Sequence, residues 1–164
     1  MMKTATKLFT VVLLAIGLTA GAQSAIPKWK IGDLERYMDT SSAPTIINFW
    51  ATFCKPCIAE IPHFQALSAK YRAKGVRLLL VSLDLPEDYN KIKTFAQKRK
   101  ITAPIAFLDE SNADLFCPKV DSSWSGALPA TLFLHKAAGY RYFIEESLSR
   151  PRLEGEILKM LGSK

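Results

Sequence analysis

Apolar positions in this chain come in blocks whose spacing switches between two periods. Thr45–Trp50 (TIINFW) and residues 76–83 (VRLLLVSL) are nearly continuous apolar runs rich in β-formers, as expected of central strands covered on both faces. Between them Ile61, Phe64, Leu67 and Tyr71 recur at helical spacing. That spacing predicts a helix over residues 54–74, bent at Pro62 and ended by Gly75. Asp84 with Glu87 reads as a capping box, and Pro86 suits a first turn, so a second helix is predicted to run to Lys100. Shorter helices are predicted over residues 33–38 and 111–120, and a third strand over residues 104–108. Strands over residues 130–135 and 140–145, joined by Lys136-Ala137-Ala138-Gly139, have the spacing of a hairpin. Ser149 and Pro151 open a last helix with Leu153, Ile157 and Leu161 on one face. The order β-α-β-α-β-(α)-β-β-α implies an α/β fold: a mixed central sheet, parallel at its centre and antiparallel at one end, with helices on both faces.

The first residues follow a different logic. Lys3 and Lys7 precede an apolar run over residues 8–18, and Ala20-Gly21-Ala22 supplies small residues at cleavage spacing. This is the layout of a secretory signal over residues 1–22, cleaved near Ala22 or Ser24, ahead of one domain over residues 26–164. An apolar stretch of roughly 15 residues is short of the about 20 that span a membrane, so an uncleaved anchor is the alternative. No cysteine follows the run to take a lipid. The 49% apolar and 23% charged residues are those of an ordinary globular chain. Of the net charge of +7, the leader carries two lysines. The densest basic run, Lys98-Arg99-Lys100, ends a predicted helix, where the macrodipole favours cations, so no nucleic-acid partner is called for.

Three cysteines are too few for a disulfide framework or a four-cysteine zinc site. Cys54-Lys55-Pro56-Cys57 directly follows a predicted buried strand and opens a predicted helix. A thiolate there meets unpaired backbone N–H groups and the positive dipole end, which lowers its pKa. Cys54 is thus the expected nucleophile, and Cys57, one turn further in, the resolving thiol. Taken alone, two cysteines three apart also suit a structural disulfide or half of a metal site. Zinc lacks further ligands, since His63 and His135 are the only histidines and Cys117 stands alone. No metal and no cofactor is expected. A peroxide-reducing enzyme would need Pro-x-x-x-Thr-x-x-Cys, which the sequence lacks.

The segment from Asn48 to Pro62 (NFWATFCKPCIAEIP) resembles the active-site segment of the TlpA/ResA group of extracytoplasmic thioredoxin-like oxidoreductases. The resemblance covers residues 29–164. It implies a thioredoxin-like fold with that group's extra β-α insertion, and thiol–disulfide exchange through Cys54 and Cys57. It further implies that Glu60 helps move protons to and from the cysteine pair, where a solvated helix carboxylate is the plain alternative. In Leu128-Pro129-Ala130-Thr131 it implies a cis-proline facing the cysteines, with the Leu128 backbone exposed to pair with substrate. Trp50 is expected beside the motif, as a substrate contact or as core. Trp124 either lines the substrate groove or anchors the loop. Cys117 is expected to be a buried, inert thiol, with a second disulfide relay as the alternative.

The implied partners are cysteine-containing exported proteins, such as apocytochrome c, and an upstream membrane electron donor. The setting is the bacterial periplasm, and the protein is expected to be a monomer. A disulfide oxidase or isomerase, or a redox-inactive binding module, would use the same groove. Lys55 does not choose among them: an exposed charge contributes about 1 kcal/mol, or about 20 mV for a two-electron couple, against roughly 150 mV separating thioredoxin from DsbA.

Overall fold

The computed structural model describes residues 25–162; the export signal expected over residues 1–22 and its cleavage point lie outside them. In chain order the elements are β1 (Lys28–Trp29), α1 (Ile31–Thr40), β2 (Thr45–Trp50), α2 (Lys55–Lys70), β3 (Arg77–Ser82), α3 (Tyr89–Lys98) and β4 (Ile105–Leu108). They continue with α4 (Ala113–Val120), β5 (Ala130–His135), β6 (Tyr140–Ile144) and α5 (Arg150–Met160). The strands form one sheet in the order β1-β4-β3-β2-β5-β6. β1 to β4 pair in parallel, and β5 and β6 close the sheet antiparallel. After β3 the chain adds α3 and then β4, which pairs in parallel between β3 and β1.

All six residues of β2 are buried because both faces of the sheet are covered. Successive side chains point to opposite faces. Ile46 and Trp50 therefore join a layer made with α2, α3 and α5, through Ile61, Phe64, Ile92 and Ile157. Ile47 and Phe49 join the opposite layer with α1 and α4, through Leu34, Met38, Phe116 and Val120. Both cysteines of the CxxC pair lie in the first layer and Cys117 in the second.

Two local readings change, and one short strand, β1, has no counterpart among them. The helix predicted over residues 54–74 ends at Lys70, and a 3-10 turn, Arg72–Lys74, carries the chain to Gly75 at φ 85°. The capping box of Asp84 and Glu87 does not form. The Asp84 carboxylate turns back, accepting the Thr52 N–H at 3.0 Å and the Ser82 O–H at 2.6 Å, and α3 begins only after a 3-10 turn, Pro86–Asp88. A non-local donor in the loop before Cys54 outcompetes the local cap. The two-residue β1 carries no pattern of its own and exists through its pairing with β4.

Trp124 anchors its loop and offers no groove surface. Its indole is 5% exposed, packs on Phe49, Phe116 and Phe143 at centroid distances of 4.5, 5.8 and 5.7 Å, and donates Nε1–H to the Ala127 carbonyl at 3.1 Å. Trp124→Ala empties this site and is expected to destabilise the domain by about 3–5 kcal/mol in urea unfolding. A loss below about 1 kcal/mol would contradict the anchoring role.

Candidate active site: the Cys54–Cys57 disulfide

β2 carries the chain to Trp50, from which three residues lead to Cys54. That short connector is fixed at both ends. Asp84 holds Thr52, and the Cys54 N–H donates to the Ala51 carbonyl at 3.0 Å. Cys54 is the N-cap of α2, with Pro56 in the first turn. Its sulfur accepts the Cys57 N–H at 3.3 Å and so sits among the unpaired donors of the helix start. Cys54 and Cys57 are joined as a disulfide with a Cα–Cα distance of 5.3 Å. Cys54 is 8% exposed and Cys57 not at all, so Cys54 is the one of the two that solvent reaches.

One turn beyond Cys57, Glu60 is 2% exposed, and so is not a solvated helix carboxylate. One of its oxygens accepts Asn48 Nδ2–H at 3.0 Å; the other accepts the Leu148 N–H at 2.7 Å and the Ser147 O–H at 3.1 Å. Burial raises the pKa of Glu60, and the bonds from Leu148, Asn48 and Ser147 only partly counter it. Asn48 also donates to Thr131 Oγ1 at 3.1 Å, while its Oδ1 is buried without a hydrogen-bond partner among the described residues. Asn48, Glu60 and Thr131 thus tie β2, α2 and β5 together beneath the cysteines.

The Leu128–Pro129 peptide bond is cis, as the resemblance implies. The β2–β5 ladder ends at Phe49 paired with Ala130, so Pro129 comes level with Trp50 and Leu128 with the start of the connector to Cys54. Leu128 is half-buried, and its N–H and C=O make no hydrogen bond among the described residues. Trp50 does not face a substrate. It is fully buried, with its ring 6.0 Å from Phe95, because its side of β2 looks into the α2–α3 layer.

Sequence reasoning missed Glu145. At the end of β6 its carboxylate accepts the Ser125 N–H at 3.1 Å, the Ala127 N–H at 2.7 Å and the Ser125 O–H. Burial would raise its pKa, but these three bonds outweigh that and hold it below the usual carboxylate range. A lone glutamate after a strand carries no pattern that could have marked it. Cys117 is 2% exposed and free, and burial, with Glu145 and Asp114 nearby, pushes its thiol up to about 11. The sheet lies between it and the disulfide, which removes the relay alternative. Among the described residues no group of three His, Cys, Asp or Glu could hold a metal ion. A cavity of about 920 Å³ opens beside Ile26, Val76 and Ile101, at the end of β3 away from the cysteines.

A sequence model of the AhpC/TSA family matches residues 25–138. The thiol-disulfide oxidoreductase ResA of Oceanobacillus iheyensis is 30% identical over 139 residues, covering 80% of this chain and 68% of that protein. The ResA of Geobacillus kaustophilus is 28% identical over 164 residues, covering 91% of this chain and 90% of that protein. Among solved structures, a thioredoxin-related protein from Neisseria meningitidis serogroup B superposes with a TM-score of 0.58 at 30% identity, over 76% of this chain and 88% of that one. With its CxxC disulfide at a helix start, the chain belongs to the AhpC/TSA family as a ResA-like, thioredoxin-fold thiol–disulfide oxidoreductase.

Proposed function

We propose that this oxidoreductase works as a reductase of disulfides in exported proteins, apocytochrome c among them, in the bacterial periplasm. Among the described residues no helix is long and apolar enough to cross a membrane. The observation that carries the direction is Glu60, a buried carboxylate one helical turn from Cys57. Strong oxidants of this kind owe their potential to a stabilised thiolate in the reduced form. A buried carboxylate works against that, because its charge disfavours a neighbouring thiolate.

The cycle starts from the dithiol. The Cys54 thiolate attacks a substrate disulfide, an S–S bond forms between Cys54 and the substrate, and one substrate thiolate leaves. Cys57 gives its proton to Glu60 and attacks the Cys54 sulfur, releasing the second substrate sulfur as a thiolate that takes a proton from solvent, and leaving the Cys54–Cys57 disulfide. Two electrons pass to the substrate, and a membrane-bound dithiol donor returns them. Leu128 offers its free N–H and C=O to an extended substrate segment. Trp50 and Trp124 support this surface from beneath.

Three measurements test the scheme. The Cys54–Cys57 reduction potential is expected near that of thioredoxin, about −270 mV; a value near about −120 mV would make the protein an oxidase. In the native cell, Cys57→Ala is expected to accumulate DTT-sensitive covalent adducts and Cys54→Ala few. The reverse pattern would exchange the attacking and resolving roles, and no adducts from either variant would point to a redox-inactive binding module.

The third concerns Glu60. Its raised pKa keeps the carboxyl protonated above the ordinary value of about 4.3, so it becomes a proton acceptor only as pH rises through that higher value. Resolution of the mixed disulfide should accelerate over that interval in the wild type, and Glu60→Gln should lose this limb and slow resolution on the order of 100-fold. Folding is linked with the opposite sign. The folded state holds the proton longer than the unfolded one, so wild-type stability declines as pH rises from about 4.3 through the raised pKa, and Glu60→Gln removes that decline. Superimposable pH–rate profiles would leave Glu60 a purely structural carboxylate.

A further inference from the structure

One connector of the chain reaches both halves of the site. Between β6 and α5, Ser147 and Leu148 hold the Glu60 carboxylate beneath Cys57, and two residues earlier Glu145 holds the loop that leads to Pro129. The start of that loop is held by Asp121, which accepts the Ser123 N–H and O–H, and its middle is anchored in the core by Trp124. The loop runs between Val120 and Ala130 with Ser125 and Ala127 exposed, and turns at Gly126, whose φ of 94° suits a residue without a Cβ. Among the described residues the backbone N–H groups of Ser125 and Ala127 have a single hydrogen-bond partner, the Glu145 carboxylate. The other face of Ala127 is also taken, since its carbonyl accepts the Trp124 indole N–H. Ala127 is therefore gripped at both its N–H and its C=O, and the next residue, Leu128, has neither group bonded among the described residues.

We propose that Glu145 is a positioning residue for substrate recognition: its carboxylate latches the Ser125–Ala127 turn and thereby sets the Leu128 backbone in register for an extended, cysteine-bearing segment of a protein substrate. The latch is mounted on rigid supports. Ile144 before it pairs with Thr131 of β5, and Leu148 after it is bonded to Glu60. Glu145 touches neither sulfur through any hydrogen bond, so its work is confined to the substrate side. The proposal rests on the reading of Leu128 as the strand-pairing edge.

The latch is made of three hydrogen bonds to one carboxylate, so its loss is expected to be read as a change of about tenfold. The experiment compares wild type, Glu145→Ala and Glu145→Gln in three assays. With insulin as the protein disulfide, Glu145→Ala is expected to lower kcat/KM about tenfold, mostly through KM, and Glu145→Gln, which keeps one acceptor oxygen, by less. Alkylation of reduced Cys54 by iodoacetamide, which needs no docked segment, is expected to stay within twofold of wild type in both variants. Amide hydrogen exchange, independent of turnover, is expected to show the Ser125 and Ala127 N–H groups protected in wild type and unprotected in Glu145→Ala.

Unchanged exchange at those two amides would overturn the latch, and an equal fall in insulin reduction and alkylation would reduce Glu145 to a general structural role. Loss of amide protection with unaltered insulin kinetics would overturn the link to recognition. Failure of the wild type itself to reduce insulin would count against the reductase reading, while the amide exchange would still decide the latch.

Discussion

Burying a carboxylate in the first turns of the active-site helix is the constraint around which this fold is arranged. An isolated ionised carboxylate in the interior is unfavourable by several kcal/mol, and it survives only where donors surround it. Glu60 draws its donors from β2 through Asn48 and from the connector before α5 through Ser147 and Leu148. Satisfying it therefore docks α2 against the sheet and fixes where α5 begins. The same connector then delivers Glu145 to the loop before Pro129. One polar residue placed where the core should be apolar thus ties the cysteine helix to the connector that also holds the loop before Pro129. The pattern is one that natural proteins tolerate mainly at functional sites.

The sheet contributes a second asymmetry. Because β2 alternates its side chains between two covered faces, the disulfide and Cys117 fall into separate layers even though both are buried sulfur. Cys54 sits at a helix start with donors around its sulfur, the setting that favours thiolate. Cys117 lies inside α4 against Trp124 and Phe116, where desolvation favours the thiol. Identical side chains are set to opposite chemistry by burial and helix position alone.

What the sequence revealed depended on whether a signal was local. The continuous apolar runs of β2 and β3 and the helical spacing of Ile61, Phe64 and Leu67 each carry their own period, and these elements form close to where they are predicted. The CxxC at a strand-to-helix junction is legible for the same reason. Long-range pairing has no such trace. β1 is two residues, recognisable only beside β4, and Asp84 reads as a helix cap until Thr52, 32 residues away in the chain, claims its carboxylate. Glu145 is the extreme case: nothing near it in sequence announces a ligand for backbone groups 18 and 20 residues earlier. Trp50 and Trp124 were legible as aromatics near the motif, but their direction, into the core, follows from which face of the sheet each one meets.

The charges around the disulfide differ in reach as well as in sign. Lys55, exposed beside Cys54, acts through water, where a charge pair contributes about 1 kcal/mol at most. Glu60 acts from the interior, where the effective dielectric constant is lower and the same separation gives a stronger interaction. A negative carboxylate resists a second negative charge one turn away, and a neutral carboxyl does not. The two sulfurs are therefore governed separately. In the proposed cycle Cys54, at the helix start beside a surface lysine, makes the attack, and Cys57 hands its proton to the buried carboxylate before it resolves. The proposed separation of attack from resolution rests on this division, with one sulfur slightly exposed at the helix cap and the other fully buried one turn before an acid held by three donors.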